Sequence, residues 1–342
     1  MKITKILPVL MALVLAFSSC SAGKGEAATG GSYMLATGKA GGTYYSFGTC
    51  LASVWDKYSQ STTNITTTSG SVQNIEMLLK GNADFAFVQN DILYYALQGK
   101  EMYEENPQRG ISVVANLYPE YAQFVVNAST EIKTIPDLVG KTVAVGKYGT
   151  ATEAAARQIL EAYGVTYDMI TVKYQTFSEA MDGLNSGSIQ AAFAVSSLPS
   201  AKILEYSQTH EIRFLPISLT QSTAFKRNCP FFSDGMILND VYGTENSVST
   251  VCIDVLLICR NNMSSADVLA ITQSVFNNTD EVTAGHAKGQ EINAVTASET
   301  LVGSIHSGAK QYYDNAEEFA KENSSSEKEK EEASEEQSSE SE

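Results

Sequence analysis

The chain contains 342 residues, carries a formal net charge of −16 at pH 7 and is 43% hydrophobic. This length suits roughly two domains, and the acidic balance argues against a nucleic-acid-binding protein, which would need a basic patch. Half of the negative charge lies in residues 317–342, where eleven acidic residues and three lysines give a net charge of −8. Residues 323–342 are predicted to be a disordered acidic tail, because they offer too little apolar surface to fold.

The first twenty residues predict a lipoprotein signal peptide. Lys2 and Lys5 form a basic start, and Ile6–Phe17 form an apolar run of the length that secretory signals use. The run is too short for a good transmembrane helix. It ends in Phe17-Ser18-Ser19-Cys20, which resembles a bacterial lipobox with phenylalanine in place of the usual branched aliphatic residue. We therefore expect residues 1–20 to be a signal peptide and Cys20 to be the lipidation site.

A lipid on Cys20 would hold the protein on the outer face of a membrane, in the periplasm or at the cell surface. Residues 21–31 are rich in serine, glycine and alanine and would form a flexible tether. The alternative is ordinary signal cleavage near Ala22 or Ala28, which would discard Cys20.

The remaining cysteines and the histidines do not form the pattern of a metal site. No CxxC spacing occurs and the three histidines are scattered, so a zinc site is not predicted. An extracytoplasmic location permits disulfides, but the pairing is open, and free buried thiols are the alternative. The four cysteines after the signal are Cys50, Cys229, Cys252 and Cys259.

Apolar periodicity in the first part of the body predicts strands that alternate with helices. Two extended runs follow, and they are separated by Tyr118-Pro119-Glu120. The predicted strands are 33–37, 64–68 and 83–88, the helices are 44–58, 72–79 and a segment ending at 97, and the extended runs are 111–117 and 123–127.

A second unit repeats this order of elements, and a late strand and helix follow it. We therefore predict an α/β fold with two lobes and a ligand cleft between them, with lobe 1 formed by residues 32–120 and 235–322 and lobe 2 by residues 121–234. The predicted strands are 142–146, 170–174, 189–195 and 250–258, and the helices are 152–163, 178–184 and 265–277.

The glycine-rich stretch Gly38–Tyr45 lies between the first predicted strand and the first predicted helix. Glycine lets the backbone come close to a ligand, and a helix N-terminus offers unpaired N–H groups that suit an anion. We interpret the stretch as half of a small-anion pocket, with a plain tight turn as the alternative. Donors would be Gly41, Gly42 and Thr43, and the aromatic walls would be Tyr44 and Tyr45.

Other polar residues also follow predicted strands, where open α/β sheets place their ligand groups. Asp91 among them is expected to cap its helix in preference to touching a ligand, and Tyr118 either closes over the ligand or packs. The further candidate ligand-binding residues are Ser69, Gly70, Ser71, Gln89, Asn90, Tyr118, Gly149, Thr150, Ala151, Thr152, Ser196 and Ser197.

Five stretches, taken in their order and spacing, resemble the TAXI family of solute receptors of TRAP (tripartite ATP-independent periplasmic) transporters. The resemblance implies a type II periplasmic-binding-protein fold. It also implies delivery of a small carboxylate, such as glutamate or 2-oxoglutarate, to the membrane subunits of a sodium-coupled TRAP permease, by a monomer without cofactor. Lys147 and Tyr148 depart from the smaller residues typical of that loop. The stretches are Thr37–Tyr45, Thr68–Asn74, Ala83–Tyr95, Leu138–Thr152 and His306–Tyr313.

An enzyme function has little support in the residues. The histidines lie outside the glycine loops, and the chain has no GxSxG, HExxH or phosphate-loop pattern, so no enzyme activity is predicted. The proposed pocket segments contain no arginine, so neutral donors and helix dipoles would have to balance the charge of a ligand. A lipoprotein of the same fold that reports ligand to a membrane sensor kinase is the alternative function, and a lipoprotein that has lost its ligand is a third possibility.

Overall fold

The computed structural model describes residues 30–219, 223–299 and 302–316. The predicted signal peptide, the lipidation site Cys20, nearly all of the predicted tether and the acidic tail lie outside these residues. Within the described ranges, no helix combines the length and apolarity that crossing a bilayer requires. Cys50, Cys229, Cys252 and Cys259 are free thiols, which settles the question that the sequence left open.

The described strands form a single sheet with two outlying strands. Its order is β2-β1-β3-β10-β4-β7-β5-β6, with β8 paired to β4 and β9 paired to β10. The strands are β1 (Ser32–Ala36), β2 (Thr62–Thr66), β3 (Phe85–Gln89), β4 (Ile111–Asn127), β5 (Thr142–Gly146), β6 (Thr171–Tyr174), β7 (Ala191–Ser196), β8 (Ile212–Phe214), β9 (Phe232–Ile237) and β10 (Val248–Arg260).

Helices connect these strands, and residues 307–316 are also helical. Short 3-10 turns cover Glu101–Tyr103, Ile135–Leu138, Tyr167–Met169 and Ala287–Glu291. The helices are α1 (Thr43–Tyr58), α2 (Ser71–Leu79), α3 (Asn90–Gln98), α4 (Ala151–Ala162), α5 (Phe177–Ser186), α6 (Ala201–Ser207), α7 (Thr223–Asn228), α8 (Asn239–Tyr242), α9 (Ser265–Phe276), α10 (Thr279–Gly285) and α11 (Ala294–Ala297).

Two long antiparallel strands run through both halves of the sheet. The first part of β4 pairs with β10 and its later part pairs with β7, while β10 pairs with β9 and then with β3. Strands β1, β2 and β3 therefore form the first lobe together with one end of this strand pair, and β5, β6 and β7 form the second lobe with the other end. The predicted α/β fold of the type II periplasmic-binding-protein class is confirmed. The exact lobe boundaries stay a prediction.

The predicted break at Tyr118-Pro119-Glu120 is wrong, because β4 continues through it as one strand of 17 residues. Proline has no backbone N–H, so it removes one hydrogen bond between paired strands. It is therefore tolerated where the strand pairing is irregular. Pro119 lies opposite Asp254, next to a register shift between Val255 and Leu256. The strand pair thus has a local irregularity at the junction of the lobes.

The core is built from the apolar faces that periodicity predicts. Along α1, Phe47, Leu51 and Trp55 are fully buried and recur every four residues, so one face of this helix packs on the sheet. Phe47 stacks on Phe87 of β3, and Trp55 contacts Phe85. This packing fixes α1, and hence the glycine loop at its start, against the strand that ends at the lobe junction.

Candidate ligand-binding site

Three polar strand-to-helix junctions lie at one edge of the first lobe. Strand β1 pairs in parallel with both β2 and β3, so the carboxyl ends of all three strands lie at the same edge of the sheet. Loops lead from β1 and β2 into α1 and α2, whereas α3 begins directly after β3. These junctions, with the adjoining strand end and first helical turns, contain the predicted residues Gly41, Gly42, Thr43, Tyr44, Tyr45, Ser69, Gly70, Ser71, Gln89 and Asn90.

A buried asparagine holds these junctions together through hydrogen bonds. Asn74, which is 0% exposed, donates through Nδ2 to the carbonyl oxygens of Thr37 and Phe87, each at 2.7 Å. Thr68 Oγ1 lies 2.6 Å from Asn74 Oδ1 and accepts from the backbone N–H of Gly70 at 3.0 Å. One side chain therefore ties the ends of β1 and β3 to the loop that follows β2.

The three helices of this edge begin without side-chain caps. The residues at their N-cap positions, Gly42 for α1, Gly70 for α2 and Gln89 for α3, accept no hydrogen bond from the first turn through a side chain. Gly70 has φ +115°, a conformation that L side chains rarely adopt, which explains the choice of glycine there. Uncapped first turns leave N–H groups and a partial positive charge available to an anion.

In helix α3, one N–H group of the first turn already has a partner within the helix. Asp91 Oδ1 accepts from the backbone N–H of Ile92 at 2.7 Å, but the N-cap residue of α3 is Gln89, so Asp91 does not take the capping position expected for it. Burial raises the pKa of the Asp91 carboxyl to about 7, a rise to which Glu120 contributes, while the Ile92 hydrogen bond acts in the opposite direction.

A chain of polar contacts joins the loops to the strand that links the lobes. Ser71 Oγ accepts from the backbone N–H of Gln89 at 3.1 Å, and Gln89 Nε2 donates to Glu120 Oε2 at 2.6 Å. Burial raises the pKa of Glu120 to about 7, against the effects of Gln89 and Lys288. Near neutral pH this carboxyl is therefore partly protonated, which reduces its repulsion of a nearby anion.

The corresponding loops of the second lobe are held by their own contacts. Thr150 donates to the carbonyl oxygen of Lys147 at 2.7 Å and caps α4 by accepting from the N–H of Glu153 at 3.4 Å. Ser196 Oγ accepts from Gln123 Nε2 at 2.9 Å, and Gln123 Oε1 accepts from the Tyr242 hydroxyl at 2.9 Å. The predicted residues in these loops are Gly149, Thr150, Ala151, Thr152, Ser196 and Ser197.

Strand register brings the two sets of loops together. Gln89, the last residue of β3, lies opposite Val255, which lies opposite Tyr118 of β4. Ser196, the last residue of β7, lies opposite Tyr121 of the same strand. Three residues of strand span roughly 10 Å, and the three inter-strand spacings from β3 to β7 add about 14 Å across the sheet. The polar ends of β3 and β7 therefore face each other across β10 and β4.

Four buried polar atoms on the predicted site segments and at Asp91 have no hydrogen-bond partner within the described part of the protein. They are Asn90 Oδ1, Asp91 Oδ2, Tyr118 Oη and Ser197 Oγ. Buried polar groups are normally bonded, so this concentration at the lobe junction is a feature of a polar binding site.

Tyr118 itself packs beneath the loops. It is 1% exposed, its ring meets Phe47 edge to face at 5.6 Å, and Lys288 Nζ lies 5.0 Å from its ring centre. On the rim of the second lobe, by contrast, Tyr148 is 79% exposed and contacts Tyr174. Of the two roles considered for Tyr118, the packing role matches these contacts.

Sequence reasoning missed several polar residues of this region. Glu120 is 31 positions away from Gln89, and Lys288 comes from the turn that precedes α11. Gln123 and Asn74 lie within a predicted strand and a predicted helix, respectively, where their side chains carry no motif. Only the polarity of Glu120 and Gln123 within a largely apolar strand was available as a signal.

Comparison with known proteins supports the fold. The sequence profile of the NMT1-like family matches residues 35–316. PhnD1 from Prochlorococcus marinus (MIT 9301), solved in complex with methylphosphonate, is 10% identical with a TM-score of 0.50, over 85% of this chain and 97% of that one. A TctC solute binding protein from Polaromonas is 16% identical with a TM-score of 0.49, over 76% and 86% of the two chains. The periplasmic aliphatic sulphonate binding protein SsuA from Escherichia coli is 15% identical with a TM-score of 0.48, over 83% and 82%.

Proposed function

This chain belongs to the NMT1-like family, and from this premise we propose that it is an extracytoplasmic solute-binding protein that works with a membrane transporter. The cleft lies where the strands of both lobes end, which is the usual place for a ligand in open α/β sheets. Domain closure around a bound molecule is the ordinary mode of action of such a hinge.

The ligand proposed is a small anion, and the observation that carries this proposal is the convergence of three uncapped helix N-termini. Helices α1, α2 and α3 start at one edge of one lobe, and two of them begin after a glycine. Backbone N–H groups and helix dipoles together favour a negatively charged group there. The protonated fractions of Asp91 and Glu120 add neutral polar groups to the same region.

The resemblance to TAXI receptors makes the proposal more specific about the ligand, the partner and the membrane anchor. The ligand is then a carboxylate of the glutamate or 2-oxoglutarate kind, the partner is a TRAP permease, and a lipid on Cys20 anchors a monomer to the membrane. Gly41 and Thr43 offer backbone N–H groups to the carboxylate, since that of Gly42 already bonds the Lys39 carbonyl oxygen at 2.9 Å. Tyr44 and Tyr45 line the cleft. The second lobe brings Thr150–Thr152 and Ser197 to the other side.

A thermal-shift screen of the purified protein tests the ligand class. The panel contains amino acids, keto acids, dicarboxylates, alkyl phosphonates, alkyl sulfonates and neutral sugars. A ligand that binds only the folded state stabilises it by about 2.7 kcal/mol at a hundredfold excess over Kd, which corresponds to roughly 5 to 10 °C for a protein of this size. A rise in melting temperature with carboxylates alone supports a carboxylate ligand. A rise with phosphonates or sulfonates alone means that the ligand is another oxyanion. A shift with sugars alone contradicts the anion site.

A further inference from the structure

Three polar contacts join the lobes away from the glycine loops. Gln158 Nε2 of α4 donates to the Tyr95 hydroxyl on α3 at 2.7 Å and to Glu101 Oε1 at 3.4 Å. Glu101, in the 3-10 turn after α3, also accepts from Arg157 Nη2 at 2.6 Å. Helix α3 follows β3 of the first lobe and α4 follows β5 of the second lobe, so all three contacts cross the junction.

The backbone at Glu101 has an unusual conformation that supports a specific role. Its φ of +50° lies in the left-handed region, which residues other than glycine, asparagine and aspartate seldom adopt. Strain of this kind persists where the surrounding structure holds the residue in place, and it is concentrated at functional positions. Here the conformation accompanies a carboxylate aimed at the opposite lobe.

Arg157 is held in position by its own helix as well as by Glu101. Glu153 lies 4.0 Å and Glu161 3.8 Å from its guanidinium, one turn before and one turn after it on α4. The side chains of Arg157 and Glu101 are each 28% exposed, so the ion pair is partly sheltered from solvent. Sheltered ion pairs are less screened by salt than exposed ones.

An apolar contact lies beside these polar ones. Phe231, which precedes β9, meets the rings of Tyr94 and Tyr95 at 5.5 and 5.4 Å. Its carbonyl oxygen accepts from Asn90 Nδ2 at 3.1 Å. The start of α3 is therefore tied both to the predicted site, through Asn90, and to the part of the chain that leads into β9.

We propose that Glu101, Arg157, Tyr95 and Gln158 form a latch between the lobes, which sets how far the cleft is closed before a ligand binds. The latch acts on the proposed function by setting the fraction of molecules in which the cleft is closed. A ligand that needs the closed form binds with an apparent Kd equal to its intrinsic value divided by the closed fraction. Weakening the latch opens the cleft and weakens capture, without any change in the groups that touch the ligand.

The test measures the distance between the lobes in the full chain. Nitroxide labels are attached through a non-natural keto amino acid at Asp56 on α1 and Lys173 on β6, which are both exposed, so that the native cysteines stay unlabelled. The variant Tyr95→Phe removes the hydroxyl that accepts from Gln158, and Glu101→Gln removes the charge that pairs with Arg157, each with little change in shape. Glu104→Gln is the matched control, since Glu104 is exposed and lies three residues further on.

Without ligand, Glu101→Gln and Tyr95→Phe are expected to shift the distance distribution to longer values, while the control matches the wild type. The double variant Glu101→Gln/Arg157→Gln is expected to open no further than Arg157→Gln alone, since Arg157 acts across the junction through Glu101. Each latch variant should also weaken binding of any anion found in the screen by at least threefold.

An unchanged distance distribution in both single variants, with melting curves like that of the wild type, overturns the latch. A change in the control as large as that in Glu101→Gln overturns it as well. The distance readout needs no ligand, so a screen without any hit would contradict the proposed function and leave this test intact.

Discussion

Gln89 and Glu120 are joined by a hydrogen bond of 2.6 Å from Nε2 to Oε2. Gln89 ends β3 in the first lobe, and Glu120 lies in β4, which links the lobes. The Gln89 backbone N–H also bonds Ser71 at the start of α2. Glu120 is therefore connected through Gln89 to the edge where the uncapped helices begin.

The first prediction concerns stability and pH. The pKa of Glu120 is raised by burial from 4.5 to about 7 in the folded protein, so the folded state binds more protons than the unfolded state between these values. Its contribution to stability is present below pH 4.5 and is lost as the pH rises through about 7, by up to about 3 kcal/mol. Urea unfolding at pH 5 and pH 8 should show a smaller loss of stability over this range in Glu120→Gln than in wild type. The same loss in both would contradict the buried-carboxyl account, and Glu104→Gln serves as the exposed control.

Anion binding should follow the same titration. Ionisation of Asp91 or Glu120 places negative charge beside the helix N-termini, so affinity for an anion should fall between pH 6 and pH 8. The slope should approach tenfold per pH unit for each proton taken up on binding. Calorimetric titration of the wild type, Glu120→Gln and Asp91→Asn checks this, with a shallower slope expected in both variants. Affinity that rises with pH in the wild type would show that the carboxyls do not face the anion.

Replacement of Gly42 by valine should block the approach of a ligand to the start of α1. Gly42 has an ordinary φ of −87°, and an added Cβ would meet only the Lys39 carbonyl oxygen, at 3.2 Å. Folding stability should therefore change by less than about 1 kcal/mol, as for substitutions at the surface, while ligand affinity drops at least tenfold. Unchanged affinity in a folded variant would remove this loop from the site.

Asn74→Ala tests the hydrogen bonds that hold the strand-to-helix junctions together. It leaves the carbonyl oxygen of Phe87 without its buried side-chain donor, while that of Thr37 still accepts from the Thr68 hydroxyl at 2.9 Å. Urea unfolding should show a destabilisation of roughly 2 kcal/mol, within the cost of about 1 to 3 kcal/mol for one unsatisfied buried group. The control Asn64→Ala, at an exposed position on β2, should change stability by less than about 0.5 kcal/mol. Equal effects in both variants would mean that Asn74 does not hold the junctions together.

Long helices with one apolar face could be predicted from the sequence alone. The helices α1, α4 and α9 begin within one residue of their predicted starts, because each buries a continuous face. Strand β5 has only five residues, but its bounds were also predicted, since it is an apolar run that ends at Gly146. The strands β8 and β9 and the helices α6 and α7 were not predicted, since none has a comparable apolar run or enough turns to show a helical period. The prediction at Pro119 was wrong because a proline usually ends a strand. Here the pairing of β4 with β10 is irregular next to Pro119, and the strand continues through it.

The site was predictable only where chain neighbours form it. Gly41 and Gly42 directly precede a helical pattern in the sequence, so the sequence alone predicts that they form a loop. The contacts of Glu120 with Gln89 and of Lys288 with Tyr118 depend on strand pairing and on a distant turn. No local pattern encodes such contacts, and so the buried carboxyls became visible only in the structure.

The most direct test of the central claim is the response of backbone amides to the anion found in the screen. A TROSY spectrum of 15N-labelled protein, recorded during titration, reports on each amide separately. The account predicts the largest shifts at the first residues of α1 and α2, Thr43 and Ser71, together with residues 150–152 of the second lobe. Shifts confined to other regions, with these amides unmoved at saturation, would contradict a site built on the starts of these helices.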